Sequence, residues 1–274
     1  MKKTVLGFMA ASSLFAGSFE YGQGDFKIKY KLYNQQASVS TDIKTYSLVE
    51  QHKNIFESTY YYKYNISWMK LDRFTTPQQN IRPPFPTIDM PSISHELEGL
   101  DASIGIGKDL YHHSEHDYIG FGVDVGLSVP YSDSNQNSNG SFDLKDFKID
   151  ITTYKIGPHI TFSKSFHEVL SIYGSVNYCY QTFRFKSDVL TSSVDVDGYS
   201  YGVDLGLRFD LLHKNYETKL LTIKPRFFGV LGYRYQKWDV DDITVKLLTF
   251  SEPLQFEDMN FRSSYFYGGI GYSF

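Results

Sequence analysis

Period two governs this chain. From Ile119 to Tyr131, the residues Ile119, Phe121, Val123, Val125, Leu127, Val129 and Tyr131 share one face of an extended segment. Gly120, Gly122, Asp124, Gly126 and Ser128 share the other. Tyr199 to Leu211 repeats the design, with Tyr201, Val203, Leu205, Leu207, Phe209 and Leu211 set against Ser200, Gly202, Asp204, Gly206, Arg208 and Asp210. A helix would scatter both sets around its circumference, so these segments are strands with one apolar and one polar face. The same alternation marks Tyr60–Trp68, Leu100–Ile106, Tyr154–Phe162, Leu170–Tyr180, Ile223–Tyr235 and Phe266–Phe274, and more weakly Phe26–Leu32 and Ile43–Val49.

These segments predict an all-β fold, a transmembrane antiparallel up-and-down β-barrel of about ten strands, an even number as bacterial barrels require. If residues 19–57 form a periplasmic extension instead, about eight strands remain. A soluble sandwich also alternates, but three features favour the barrel. The strands are long, about 13–15 residues against the usual five or six of soluble sheets. The polar face is rich in glycine, which the crowded inside of a narrow barrel needs and a solvated face does not. Aromatic residues make up 17% of the chain, and Tyr118, Tyr131, Tyr233, Tyr235, Trp238, Phe261 and Tyr265 fall near strand ends, where interfacial girdles would lie. A charge in mid-membrane costs roughly 2–4 kcal/mol. Asp204, Arg208 and Asp210 therefore point into the lumen, and the apolar face points to lipid.

The connections alternate in length. Short ones fall at 112–116, 163–168 and 213–219; long polar ones at 75–91, 132–148, 186–197 and 239–260. Short periplasmic turns and long, acidic extracellular loops would give that pattern. Pro158 and Pro225 interrupt proposed strands, and bulges near the periplasmic rim are expected there. Lys2, Lys3, the apolar stretch Val5–Phe15 and the small residues Ala16-Gly17-Ser18 have the form of a secretory signal over 1–18, which leaves 19–274 as the barrel domain. One cysteine, Cys179, precludes an intrachain disulfide, and a net charge of −4 gives no footprint for nucleic acid.

The chain ends Gly268-Gly269-Ile270-Gly271-Tyr272-Ser273-Phe274. This resembles the C-terminal assembly signal of bacterial outer-membrane barrels, with Phe274, Tyr272 and Ile270 on one face, Gly268 as a departure, and Phe266 resuming the pattern. The resemblance implies export through the periplasm, recognition by the barrel-assembly machinery, and contact with outer-membrane lipid and lipopolysaccharide. It does not identify a narrower family or an oligomeric state.

The candidate lumen residues are Lys63, Asp101, Asp124, Lys155, His159, Asp204, Arg208, Asp210, Lys224, Arg226 and Arg234. Two readings stay open: a salt-bridge network that fills a narrow barrel, or a small charged pore that favours anions. Barrels of similar architecture include lipid acyl hydrolases, and His159, Thr161 and Ser163 share a strand face, but the sequence displays no acid to orient the imidazole. Omptin-type proteases are similar too, yet no histidine accompanies Asp239, Asp241 and Asp242. Those acids, with Asp195 and Asp197, read as solvated loops, or as weak cation sites that would bridge lipopolysaccharide phosphates. His112, His113 and His116 read as an exposed turn. No cofactor motif is present. The expectation is a non-enzymatic surface protein whose loops carry specificity, with a narrow channel as the alternative and a lipid-modifying hydrolase as the second.

Overall fold

The computed structural model describes residues 17–33, 35–55, 58–81, 88–114, 116–141, 144, 146–167, 169–211, 216–217, 222–223, 226–248 and 253–273. Ten long strands follow one another around a closed barrel: β1 Gly17–Leu32, β2 Gln35–Asn54, β3 Tyr60–Leu71, β4 Ile93–Ser114, β5 Asp117–Gln136, β6 Asp146–His167, β7 Leu170–Ser187, β8 Val194–Asp210, β9 Arg226–Val240 and β10 Leu254–Ser273. Each pairs antiparallel with the next, and β1 pairs with β10 from Gly17↔Tyr272 to Leu32↔Phe256. The segment 19–57 is therefore not an extension: β1 and β2 are full members of the wall, and the count is ten. Of the expected signal 1–18, residues 1–16 lie outside the described residues, while Gly17 and Ser18 already pair with β10. Lys224, Pro225 and Phe274 also lie outside them.

The expected faces hold. Outward residues of β5 from Ile119 to Val129 are 37–50% exposed although all are apolar. Ile104, Ile156, Val176, Leu205, Leu231 and Phe266 continue this belt around the barrel. Inward residues at the same height are polar and buried, among them Asp124, Lys155, His159, Asp204 and Arg234. Such a continuous apolar exterior suits lipid, as exposed apolar patches on soluble monomers stop at a few hundred Å².

Toward the outer end, away from the chain termini, the two faces exchange chemistry while the alternation continues unbroken. On β2, Tyr46 faces outward and Thr45 and Ser47 are buried inside; farther out, Asp42, Ser40 and Ser38 face solvent, and Ile43, Val39 and Ala37 are buried inside. On β1, Phe19 and Tyr21 face outward near the start, while Phe26 and Leu32 are buried inside near the end. The outer half of the barrel thus encloses an apolar core. Phe26, Val39, Ile43, Leu71 and Phe74 pack with Tyr265 and Tyr267. At the mouth, Ile88, Leu144 and Leu247 come from three different connections and bury against Leu32, Ile93, Phe147 and Leu254. Burial of each such side chain contributes about 1.5–3 kcal/mol, so the described parts of these connections that carry Ile88, Leu144 and Leu247 pack onto the barrel.

Three expectations need correction. The strands extend beyond the lipid belt, up to 22 residues in β4 and β6, so the connections expected at 132–148, 186–197 and 239–260 shrink to 137–145, 188–193 and 241–253. Strands with a solvated outer face read as loops because their polarity resembles that of loops. Of the aromatics assigned to girdles, Tyr118 and Tyr265 are buried inside, and Trp238 and Phe261 pack against the inner core. Proximity to a strand end says nothing about which face a ring takes. Finally, Pro158 causes no bulge. On the β7 side the pairing lapses between Asn177↔His159 and Tyr180↔Ile156 and resumes in the same register. One missing donor is tolerated because Pro158 still faces Val123 of β5 in unbroken register.

Candidate functional site

The polar side chains of the lower lumen come from every part of the wall, and one irregularity in β2 adds to them. Glu50 faces Tyr64 of β3, but the next pair is Lys53↔Tyr62, so Gln51 and His52 include one extra residue. A bulge re-aims side chains that strict alternation would send to opposite faces. The Gln51 amide donates to Asp204 Oδ2 at 3.3 Å. The His52 ring stacks between Tyr61 and Tyr118, at centroid distances of 4.0 and 3.7 Å.

Three ion-pair groups fill the lumen. In the first, Arg234 on β9 donates to Asp204 on β8 at 2.6 Å and to Glu20 on β1 at 3.2 Å. Tyr267 donates to the other Asp204 oxygen at 2.6 Å, and its hydroxyl meets that of Tyr173 at 2.9 Å. Gly206 and Gly232 make room for these rings: a Cβ at either would stand 2.4 Å from Tyr173 or Tyr267. In the second group, Asp124 on β5 lies 2.9 Å from His159 Nδ1 and 3.2 Å from Lys63, and the Tyr61 hydroxyl meets His159 Nε2 at 2.7 Å. In the third, Lys155 reaches Asp101 at 2.8 Å. At the inner rim, Arg208 pairs with Asp210 at 3.0 Å and lies 3.8 Å over the Phe228 ring, and Asp210 lies 3.6 Å from His116. Asp109 gathers His52 and His112, each at 3.1 Å, and Asn54 at 2.7 Å.

Every charged lumen residue expected from the sequence whose side chain is described therefore has an opposite charge beside it, and His159 lies against Asp124. Lys224 lies outside the described residues, and of Arg226 only the backbone, paired with Ser273, is described. The partners that sequence reasoning missed are Glu20, Gln51, His52, Tyr61, Asp109, Tyr173 and Tyr267. Glu20, Gln51 and His52 sit on the two strands whose alternation is faint; the others needed the register across strands. A central cavity of about 80 Å³ remains among Lys63, Asp101, Asp124, Lys155, Asp204 and Arg234. A second, of about 50 Å³, lies toward the inner rim beside His52, Tyr118 and Arg208.

Asp124 supplies the orienting acid for His159 that was not evident from the sequence. The hydroxyls beside it do not complete a nucleophilic pair: Thr161 and Ser163 donate to the carbonyls of Gly174 and Ile172 at 3.3 and 3.2 Å. The partner of His159 is Tyr61, and the imidazole is fully buried. Near the outer mouth, His95 stacks on Phe74 and its Nδ1 lies 2.8 Å from Ser134 Oγ; burial holds this imidazole down at about 4. Ser134 is almost fully buried, which leaves no approach for a substrate. Outside, Arg184 grips Asp195 with two hydrogen bonds and holds its carboxyl below the usual range. Asp239 pairs with Lys237 at 2.6 Å and Asp197 accepts from Thr182 at 2.9 Å. Among the described residues no group of three or more His, Cys, Asp or Glu side chains, the Asp109–His52–His112 group included, is arranged to hold a metal ion.

No protein-family description and no curated protein matches this chain. Among solved structures it is similar to the outer membrane protease OmpT from Escherichia coli, at 11% identity over 94% of this chain and 97% of that one, with a TM-score of 0.47. It is also similar to the translocator domain of the autotransporter NalP from Neisseria meningitidis, at 8% identity over 100% and 95% of the two chains, with a TM-score of 0.41. A third similarity is to the β domain of the Bordetella autotransporter BrkA, at 11% identity over 95% and 100%, with a TM-score of 0.37.

Proposed function

We propose that this chain is an integral barrel of the bacterial outer membrane that acts at the cell surface through its folded outer end and does not conduct solutes. One observation carries the reading: the inside of the barrel changes from paired charges within the lipid belt to an apolar core above it. A channel needs a continuous polar path. Here ions would have to break buried charge pairs, each break costing roughly 3–5 kcal/mol, and then pass a plug of aromatic and aliphatic side chains. Ten strands are also close to the size at which side chains fill a barrel. The exposed Phe266 and Ile270 on β10 form the outward face expected of an assembly signal, and the belt would contact lipid and lipopolysaccharide. The chain is read as non-enzymatic because His159 and His95 both meet groups that are buried or tied to backbone.

The test is conductance in a planar bilayer, with insertion verified beforehand by heat-modifiable gel mobility. An inserted, silent barrel is the expected result. Discrete single-channel steps would overturn the proposal and make Lys155, Arg208 and Arg234 selectivity candidates.

A further inference from the structure

Above the Lys155–Asp101 pair lies a third cavity, of about 70 Å³, inside the outer half of the barrel. Its walls come from strands all around it: Phe26 of β1, Met69 of β3, Leu97 of β4, Pro130 of β5, Phe183 of β7 and Trp238 of β9. The rings form one packed group, with Phe26 at 6.4 Å from Trp238. Gln181 of β7 also lines this cavity and is fully buried. Its Nε2 reaches Ser200 Oγ at 2.6 Å, and its Oε1 has no hydrogen-bond partner. A buried amide end without a partner is costly, and the aromatic walls offer it none.

We infer that this cavity is a binding site for a small neutral molecule with an apolar ring or chain and one hydroxyl. Three features define that class. The lining is predominantly apolar and aromatic, with Asp101, Lys155, Ser128, Thr153 and Gln181 as its polar members, and so selects a hydrocarbon body. The single unmet hydrogen bond belongs to an amide whose oxygen and nitrogen are interchangeable in placement; a hydroxyl both donates and accepts, and so satisfies it either way. The one cation within reach, Lys155, already faces Asp101 at 2.8 Å, so a carboxylate ligand would press a second negative charge against Asp101. The volume holds several water-sized bodies at about 10–15 Å³ each, which sets the ligand at roughly five to seven non-hydrogen atoms. The inference is independent of whether the barrel conducts, since the cavity lies within the outer core.

Trp238 in the wall serves as reporter, and Trp68→Phe removes the only other tryptophan, on the lipid face. The refolded full-length variant is titrated in detergent with cyclohexanol, with methylcyclohexane as the same shape without the hydroxyl, and with cyclobutanecarboxylate as an anion of the same number of non-hydrogen atoms. Cyclohexanol should shift Trp238 emission saturably and bind roughly tenfold more tightly than methylcyclohexane. The anion should give no saturable response. Gln181→Leu should erase the preference for the alcohol, and Leu97→Phe, which fills the cavity, should abolish the response to every ligand. A response that does not saturate, or that survives Leu97→Phe, overturns the inference. An alcohol preference unchanged by Gln181→Leu overturns the role of the amide. Should Gln181→Leu fail to refold, the ligand comparison and Leu97→Phe still decide the matter.

Discussion

Arg234 and Glu20 lie 3.2 Å apart although β10 stands between their strands. The guanidinium of the ninth strand thus reaches over the tenth to the first, and binds across the seam where β1 and β10 close the barrel. Arg234 also holds Asp204 at 2.6 Å, so two carboxylates depend on one cation. Removing it should be far worse than removing either acid. Arg234→Met is expected to cost about 3–5 kcal/mol, the usual range for stranding buried charge, and Glu20→Gln distinctly less. Urea titration of the barrel refolded in vesicles measures both, and equal costs would contradict the shared-cation arrangement.

Near the outer mouth, His95 should make stability depend on pH. Burial lowers its folded value from 6.5 to about 4. The unfolded chain takes up a proton near 6.5 and the folded one only near 4. The contribution is therefore complete above pH 6.5 and is lost as pH falls through that window to about 4. A loss on the order of 3 kcal/mol follows from the width of the window. Melting temperature recorded from pH 7.5 to 4.5 should fall, and His95→Gln should make the fall shallower. An identical slope in the variant would assign the pH dependence to other groups.

The edge of the lipid belt can be mapped by charge insertion. Val125 is 50% exposed on the belt, whereas Asp42 is exposed above it. Val125→Arg should destabilise by roughly 2–4 kcal/mol at mid-membrane, and Asp42→Lys by less than about 0.5 kcal/mol, as for an ordinary surface change. Reversible unfolding in lipid vesicles tests the pair. Equal effects would mean that the belt is misplaced.

Packing in the lumen leaves little tolerance around the tyrosine group. A Cβ at Gly206 would stand 2.4 Å from the Tyr173 ring, whereas one at Gly229 would find nothing nearer than 3.9 Å. Gly206→Ala should cost about 1–3 kcal/mol through overpacking, with Gly229→Ala near neutral. Denaturant midpoints of the two variants give the comparison.

Strand count, face assignment and the inward direction of charge were all legible in alternation, because a lipid-facing row tolerates no charge. Asp204 and Arg208 could be placed by that rule alone. What alternation does not encode is height. Trp238 and Phe261 read as girdle residues until the structure put them above the belt, where the inner face is the apolar one. Nor does it encode partners: Glu20 and Arg234 are brought together only when the barrel closes, and β1 has a muted pattern because its faces trade chemistry midway. The bulge at Gln51–His52 is likewise invisible, since one added residue leaves no mark in composition.

That trade of chemistry between faces bears on how faithfully the barrel assembles. In a strand with uniform faces, slipping by one residue incurs one kind of error along its whole length. For β2 a slip would incur two opposite errors at once. Near Thr45 and Ser47 it would push polar groups into lipid, and near Asp42 and Ser40 it would push polar groups into the outer core, while Ile43 and Val39 turned out to water. Neither half could compensate for the other, so a misaligned intermediate is rejected from both sides of the membrane interface, and the correct alignment is selected twice over in a single strand.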